Sequence, residues 1–172
     1  SSLILLESHI SGYILSNFRY LHVLKLSWVT SEVLPSLIGK LIHLRFLDLT
    51  YSRIEALPES ICKLYNLQTL TFDEYPDKRT LKQLPKGMRK LVNLRHLRFF
   101  ASDGQFQMPK GMRQLTCLQT LQFFNVGKDN GRTLEELGCL KNLRGRLQIR
   151  NLEQIGRASG RKECRYRWAP YH

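Results

Sequence analysis

The sequence predicts an α/β solenoid with a curved parallel sheet on its concave face and turns or short helices on its convex face. Three observations predict this fold. The pattern Leu-x-x-Leu-x-x-Leu-x-apolar recurs along the chain, a Leu-Pro or Met-Pro pair follows most copies, and the strand positions of successive copies lie 23, 23, 27, 24 and 26 residues apart. Such periods are typical of an array in which every repeat adds one strand and one turn.

The strands are predicted from the apolar spacing. In Leu-x-Leu the side chains alternate, so both leucines enter the core and the residue between them faces out. The residues that replace the second strand leucine, Phe72, Phe99 and Phe123, are expected in the core. The last copy, at 140–149, has one extra residue before Leu147. Strands are expected around residues 24–26, 47–49, 70–72, 97–99 and 121–123, and SLIL at 2–5 is expected to form the strand of an earlier repeat.

The turns are predicted from the proline that follows each strand. Proline fixes φ and is tolerated where a helical turn begins, because its missing N–H has no partner there. An apolar residue three positions later is expected to point back under the turn. The pairs are Pro35 with Ile38, Pro58 with Ile61, Pro85 with Met88 and Pro109 with Met112. We therefore expect a leucine-rich repeat domain over residues 1–155.

The repeat frame is interrupted in two ways. Insertions at 73–80, 101–107 and 125–133 fall between strand and turn, on one flank, where they either carry contacts or have drifted as unconstrained loops. After Ile155 the chain has no Leu, Ile, Val or Phe, and residues 156–172 hold five basic residues and one acidic residue. This segment is expected to be a disordered basic tail. The chain begins with Ser, so we expect a fragment of a longer protein.

The overall charge and the cysteines indicate an intracellular binding protein. The formal net charge of +13 indicates either an acidic partner or a solubilising surface. The cysteines have no Cys-x-x-Cys spacing and no Asn-x-Ser/Thr acceptor occurs, which favours a reducing, cytoplasmic setting without a zinc site. No apolar run approaches the length of a membrane span. The cysteines are Cys62, Cys117, Cys139 and Cys164.

The sequence predicts no enzymatic activity. Its five histidines form no metal-binding pair, and no nucleophile motif is present. His43 occupies the position where other repeats carry Asn66, Asn93 and Asn142, so we expect a turn-capping role there. Glu135 and Glu136 are expected at the start of a helical turn, where negative charge offsets the helix dipole. Gly127-Lys128 lacks the spacing of a phosphate-binding loop, so no cofactor is expected in this chain.

Binding is expected on the outward-facing columns of the concave face. Trp and Tyr are effective interface anchors, and exposed aromatic side chains in such columns point to a partner. The alternative for Phe100 or Phe124 is that the ring folds under a neighbouring loop. The candidate protein-binding residues are Trp28, Tyr51, Arg98, Phe100 and Phe124.

The LPxxIxxLxxLxxLxL pattern resembles the intracellular plant class of leucine-rich repeats. FFNVGKDNGRTLEELGCLKNLRGRLQIRNLE at 123–153 is similar to a stretch of coiled-coil-type nucleotide-binding leucine-rich-repeat disease resistance proteins, and FRYLHVLKLSW at 18–28 resembles the start of their repeats. The resemblance implies a module that recognises a pathogen effector or a guarded host protein. It also implies ADP or ATP, but only for a nucleotide-binding domain that this sequence lacks.

The resemblance further implies that the early repeats pack against the receptor's own nucleotide-binding domain and hold it inactive. Lys40, Lys63 and Lys90 recur at one repeat position and are the expected intramolecular contact; the alternative is a solvated basic face. Two other functions stay open. One is a free-standing intracellular scaffold of the Ras-group repeat class. The other, nucleic-acid binding, rests on charge alone and lacks a motif.

Overall fold

The computed structural model describes residues 1–6, 12–72, 81–99, 101 and 106–155. Phe100, the insertion at 73–80, most of the insertion at 101–107 and the tail 156–172 lie outside the described residues. One short helix, α1 (Gly12–Asn17), precedes β2. The strands are β1 (Ser2–Leu6), β2 (Val23–Ser27), β3 (Phe46–Asp48), β4 (Thr69–Thr71), β5 (His96–Arg98), β6 (Thr120–Leu121), β7 (Phe123–Asn125) and β8 (Gln148–Arg150).

Strands β1 to β6 form one parallel sheet in chain order, which confirms the predicted solenoid. Residues 2–5 pair with β2, so the predicted strand of the first repeat is present. The register places the central leucines opposite one another, and each is fully buried. These leucines are Leu24, Leu47, Leu70 and Leu97. Each repeat thus covers the apolar residues of its neighbour, and no repeat could bury them alone.

The convex face consists of 3₁₀ turns that pack on one another. Ile38, Ile61, Met88 and Met112 are fully buried beneath them, as the Leu-Pro spacing predicts. Pro35 and Pro58 precede the first helical residue, so their rings sit at the N-cap of the turn. The turns are Ser36–Lys40, Glu59–Lys63, Met88–Lys90, Met112–Gln114 and Leu134–Cys139, with a sixth, Leu152–Gln154, after β8.

Side-chain amides on one flank join successive repeats. Asn66 Nδ2 donates to the carbonyl of Ile42 at 3.1 Å, and Asn93 Nδ2 donates to the carbonyl of Tyr65 at 2.7 Å. Asn142 makes the same bond to the carbonyl of Thr116 at 2.9 Å. The polar role predicted for this position is therefore a bridge between repeats. His43, in the same position, instead stacks on Tyr20 with ring centroids 5.5 Å apart.

The last repeat departs from the predicted register. The chain bends at Gln122, and β7 and β8 form a separate two-stranded parallel sheet. Phe123 pairs with Gln148, which lies 25 residues later, whereas the spacing of the repeats predicts 26 residues between these two strands. Phe124 is consequently the partner of Ile149 and is fully buried, so its predicted exposure on the concave face is wrong. The structure thus shows the Phe124 ring buried, as the alternative of a ring folded under a neighbouring loop requires.

Aromatic side chains fill the core at this bend. The rings of Phe99 and Phe123 lie 4.8 Å apart between centroids, and Phe106 lies 5.3 Å from Phe99. The Arg150 guanidinium lies over Phe123 at 4.4 Å and donates to the carbonyl of Ala101 at 2.8 Å. Phe72, Phe99 and Phe123 are all buried, which confirms their predicted place in the core.

Candidate functional site

An exposed aromatic pair stands at the edge of the concave face. Trp28 and Tyr51 stack with ring centroids 5.2 Å apart and planes 7° from parallel. About 44% of Trp28 and 45% of Tyr51 is exposed. Both residues have a positive φ, 61° and 60°, a left-handed conformation that turns the chain out of the strand. The two predicted anchors are thus one continuous surface spanning two repeats.

Arg98 lies elsewhere on the concave face. It is an exposed residue of β5, whereas Trp28 and Tyr51 follow β2 and β3. Among the described residues its guanidinium forms neither a hydrogen bond nor an ion pair. The structure therefore brings together two of the five predicted protein-binding residues, Trp28 and Tyr51. Arg98 is separate from them, Phe124 is buried, and Phe100 lies outside the described residues.

The sheet presents two outward columns between its buried leucines. The first contains Val23, Phe46, Thr69, His96 and Thr120, and the second contains Ile4, Lys25, Asp48, Thr71 and Arg98. Of these two columns, only the second contains a residue that the sequence predicts to bind a partner, Arg98. The first column can be found from the residue before each central strand leucine, because that residue faces the same side of the sheet as the residue after the leucine.

The three lysines end successive turns. Lys40, Lys63 and Lys90 are each the last residue of a 3₁₀ turn, and all three are exposed. Lys63 and Lys90 line one cleft together with Tyr65. None of the three lysines forms an ion pair with another described residue. Their positive charge is therefore not neutralised within the described part of the chain, and it faces solvent on the convex side.

The carboxylate and thiol beside the lysines have structural roles. The Glu59 carboxylate accepts hydrogen bonds from the backbone N–H groups of Lys86 at 2.7 Å and Gly87 at 3.2 Å. Burial raises the pKa of the Cys62 thiol to about 11, and the negative charge of Glu59 acts in the same direction. A thiol with this pKa stays protonated at neutral pH and is a poor nucleophile.

Comparison with protein families gives a match along nearly the whole chain. The family described as leucine-rich repeat region covers residues 1–163. This chain belongs to the leucine-rich repeat family. Leucine-rich repeat domains are typically scaffolds for protein–protein interaction and not enzymes, so an interaction surface is the kind of site to seek here. Comparison with curated proteins gives no match.

Solved leucine-rich repeat structures have the same fold. A Leptospira interrogans leucine-rich repeat protein is 28% identical, with a TM-score of 0.65 over 81% of this chain and 33% of its own. The plant peptide hormone receptor RGFR1, solved with RGF2, is 22% identical, with a TM-score of 0.59 over 82% and 23%. A Listeria monocytogenes internalin is 16% identical, with a TM-score of 0.54 over 90% and 44%. This chain thus spans less than half of each.

Metal-binding clusters and membrane-spanning helices are both absent from the described residues. Within residues 1–6, 12–72, 81–99, 101 and 106–155, no three His, Cys, Asp or Glu side chains form a group that could hold a metal ion. No described helix is long and apolar enough to cross a membrane.

Glu136 is buried and pairs with Arg113, and Glu135 beside it is exposed; both lie in the first turn of Leu134–Cys139, as predicted.

Proposed function

We propose that this leucine-rich repeat domain is the protein-recognition and autoinhibition module of a cytoplasmic plant immune receptor. The observation that carries the recognition role is the Trp28–Tyr51 pair, two large rings held outside the core and stacked across adjacent repeats. Rings of this kind supply contact area with little loss of side-chain entropy. The partner would be a pathogen effector or a host protein that an effector modifies.

Two observations support the receptor class. The stretch at 123–153 resembles coiled-coil-type resistance proteins, and the exposed lysines end three successive turns. Stacked repeats are separated by at least the strand spacing of about 5 Å, so the three lysines follow one another along the convex side. An acidic surface facing Lys40, Lys63 and Lys90 would convert their mutual repulsion into attraction. In the receptor this acidic surface would belong to the nucleotide-binding domain, which would also hold the ADP or ATP.

The autoinhibition test is co-precipitation of this chain with a nucleotide-binding domain encoded in the same transcript. Changing Lys40, Lys63 and Lys90 to Glu should abolish retention at low salt and produce signalling without a pathogen. The matched control changes three other exposed lysines, Lys110, Lys128 and Lys141, to Glu. Equal retention of the wild type and the first variant at every salt concentration would overturn the lysine contact.

The recognition test uses the full-length receptor in leaf tissue. Changing Trp28 and Tyr51 to Ala should remove the response to the matching pathogen and leave the resting state silent. A response of unchanged strength would overturn the role of the aromatic pair. A transcript without a nucleotide-binding domain would instead favour the free-standing scaffold.

A further inference from the structure

We propose that the concave face recognises an extended peptide segment in which a basic and an acidic residue are neighbours. The site is a trough over β4, defined by Phe46 and Asp48 on one wall, Thr69 and Thr71 on the floor, and His96 and Arg98 on the other wall. This inference rests on the proposed recognition function and names the chemistry that the concave face selects.

The trough follows from the register of three strands. Phe46, Thr69 and His96 are backbone partners in one row, and Asp48, Thr71 and Arg98 are partners in the next. The middle strand therefore carries a threonine in both rows, with Phe46 and His96 beside Thr69 and with Asp48 and Arg98 beside Thr71. Strands lie about 4.8 Å apart, so the backbones that carry the two walls are about 10 Å apart.

The two walls carry opposite charges, and neither Asp48 nor Arg98 forms an ion pair with another described residue. Asp48 Oδ1 accepts hydrogen bonds from the backbone N–H and the hydroxyl of Thr50, which orient the carboxylate. In the described part of the chain its second oxygen accepts no hydrogen bond. Lys25 is the register partner of Asp48, yet its ammonium group lies over the Phe46 ring, 5.6 Å from the centroid.

The opposite wall is built in the same manner. His96 Nδ1 is 2.9 Å from the Thr120 hydroxyl, which holds the imidazole in place beside the trough. Arg98 is the exposed last residue of β5, and no described side chain forms a hydrogen bond or an ion pair with its guanidinium. A planar guanidinium fits a carboxylate with two parallel hydrogen bonds.

The geometry of an extended chain selects the ligand sequence. Successive side chains of an extended chain point in opposite directions. A peptide lying along β4 therefore directs one residue to the Asp48 wall and the next to the Arg98 wall. Lysine or arginine suits the first wall, and aspartate or glutamate suits the second. The threonine hydroxyls of the floor can both donate to and accept from the peptide backbone.

The experiment selects phage-displayed random twelve-residue peptides on the complete chain. Wild type should enrich peptides with adjacent basic and acidic residues. For a selected peptide, Arg98→Glu should weaken binding about tenfold, and replacing the peptide's acidic residue with Lys should restore it. Asp48→Lys makes both walls basic and should enrich peptides with two acidic residues in place of the basic and acidic pair. Thr71→Phe should block the trough.

The control is Glu135→Lys, which reverses an exposed acidic residue of the turn Leu134–Cys139 and changes the net charge by the same amount. It should select the same peptides as wild type. Identical peptides from the wild type and from Asp48→Lys would overturn the trough, as would enrichment of no charged pair. The co-precipitation through the lysines and the leaf response through Trp28 and Tyr51 would stand in either case, so failure of the trough is distinguishable from failure of the proposed function.

Discussion

Trp28 and Tyr51 adopt a backbone conformation that bulky residues avoid. A left-handed residue other than glycine costs about 1–2 kcal/mol, and the only other described non-glycine residue with positive φ is Asn151, a type that tolerates it. Stacking of the two rings offsets about 0.5–1.5 kcal/mol, and the Trp28 N–H donates to the Tyr51 carbonyl at 3.2 Å. The backbone thus holds these rings toward solvent instead of letting them join the core.

Leu70 should be among the most sensitive core positions. It is fully buried in β4, between Leu47 and Leu97 of the neighbouring strands. Leu70→Ala should lower the free energy of unfolding by about 2–5 kcal/mol, because it leaves a cavity shared by adjacent repeats. Urea denaturation followed by circular dichroism measures the change. Thr69→Ala, on the concave face of the same strand, is the control and should change it by less than about 1 kcal/mol.

Cys62 should make stability depend on alkaline pH. Its folded pKa of about 11 lies above the ordinary value of 9.0, so the unfolded thiol loses its proton first. The contribution of Cys62 is therefore complete below pH 9 and is lost as pH rises towards 11. Denaturation at pH 8 and pH 10.5 should show a larger loss for wild type than for Cys62→Ala. Equal losses would contradict the raised pKa.

The Glu136 carboxylate joins the last two turns before β8. Glu136 lies at the start of the turn Leu134–Cys139 and accepts from the backbone N–H and Nε of Arg113 in the preceding turn, at 3.0 and 3.1 Å. Glu136 is only 3% exposed. It therefore connects two repeats on the convex face in the way that Asn66, Asn93 and Asn142 connect them on the flank.

Removing this carboxylate should loosen the last two turns. Glu136→Ala leaves two donors of Arg113 without their acceptor and should cost about 1.5–3 kcal/mol. Hydrogen exchange should accelerate in 112–114 and 134–139 and remain unchanged in 36–63. Glu135→Ala removes the same charge from an exposed neighbour and should leave exchange unaltered. Uniform acceleration across all turns would show that Glu136 has no local role.

The strands and turns were predictable because their spacing is imposed by stacking. Leu24, Leu47, Leu70 and Leu97 recur wherever the sheet needs a buried residue, and Ile38 or Met88 recurs under each turn. Phe124 was not predictable from that spacing. Its burial depends on the bend at Gln122 and on the register between β7 and β8, and both depend on how neighbouring segments pack.

The candidate site was predictable only in part. Trp28 and Tyr51 recur after their strands, so the sequence places them in one column, but their left-handed backbone and parallel rings appear only in the structure. The trough depends on the relative lengths of side chains in adjacent strands. Recognising it requires both rows of the register, and Arg98 is the only residue in these rows that the sequence predicts to bind a partner.

For the whole molecule, the tail should be dispensable for folding. Residues 157–172 contain no Leu, Ile, Val or Phe and hold five basic residues and one acidic residue. They therefore have little apolar surface to bury. A chain ending at residue 156 should have the same Tm as the complete chain in calorimetry. A drop of more than several degrees would show that an aromatic residue such as Trp168 packs on the last repeat.

Strands β2, β3 and β4 follow one another at an unvarying interval of 23 residues, with Val23, Phe46 and Thr69 as partners. Unequal recombination within the gene can therefore copy one such unit in frame without disturbing the leucines on either side. A copy of residues 50–72 inserted after residue 72 would place a second threonine strand between Asp48 and Arg98. The distance between the two charges would grow by one strand spacing, about 5 Å. The ligand specificity of the proposed trough would therefore change by one strand for each unit that the protein gains or loses.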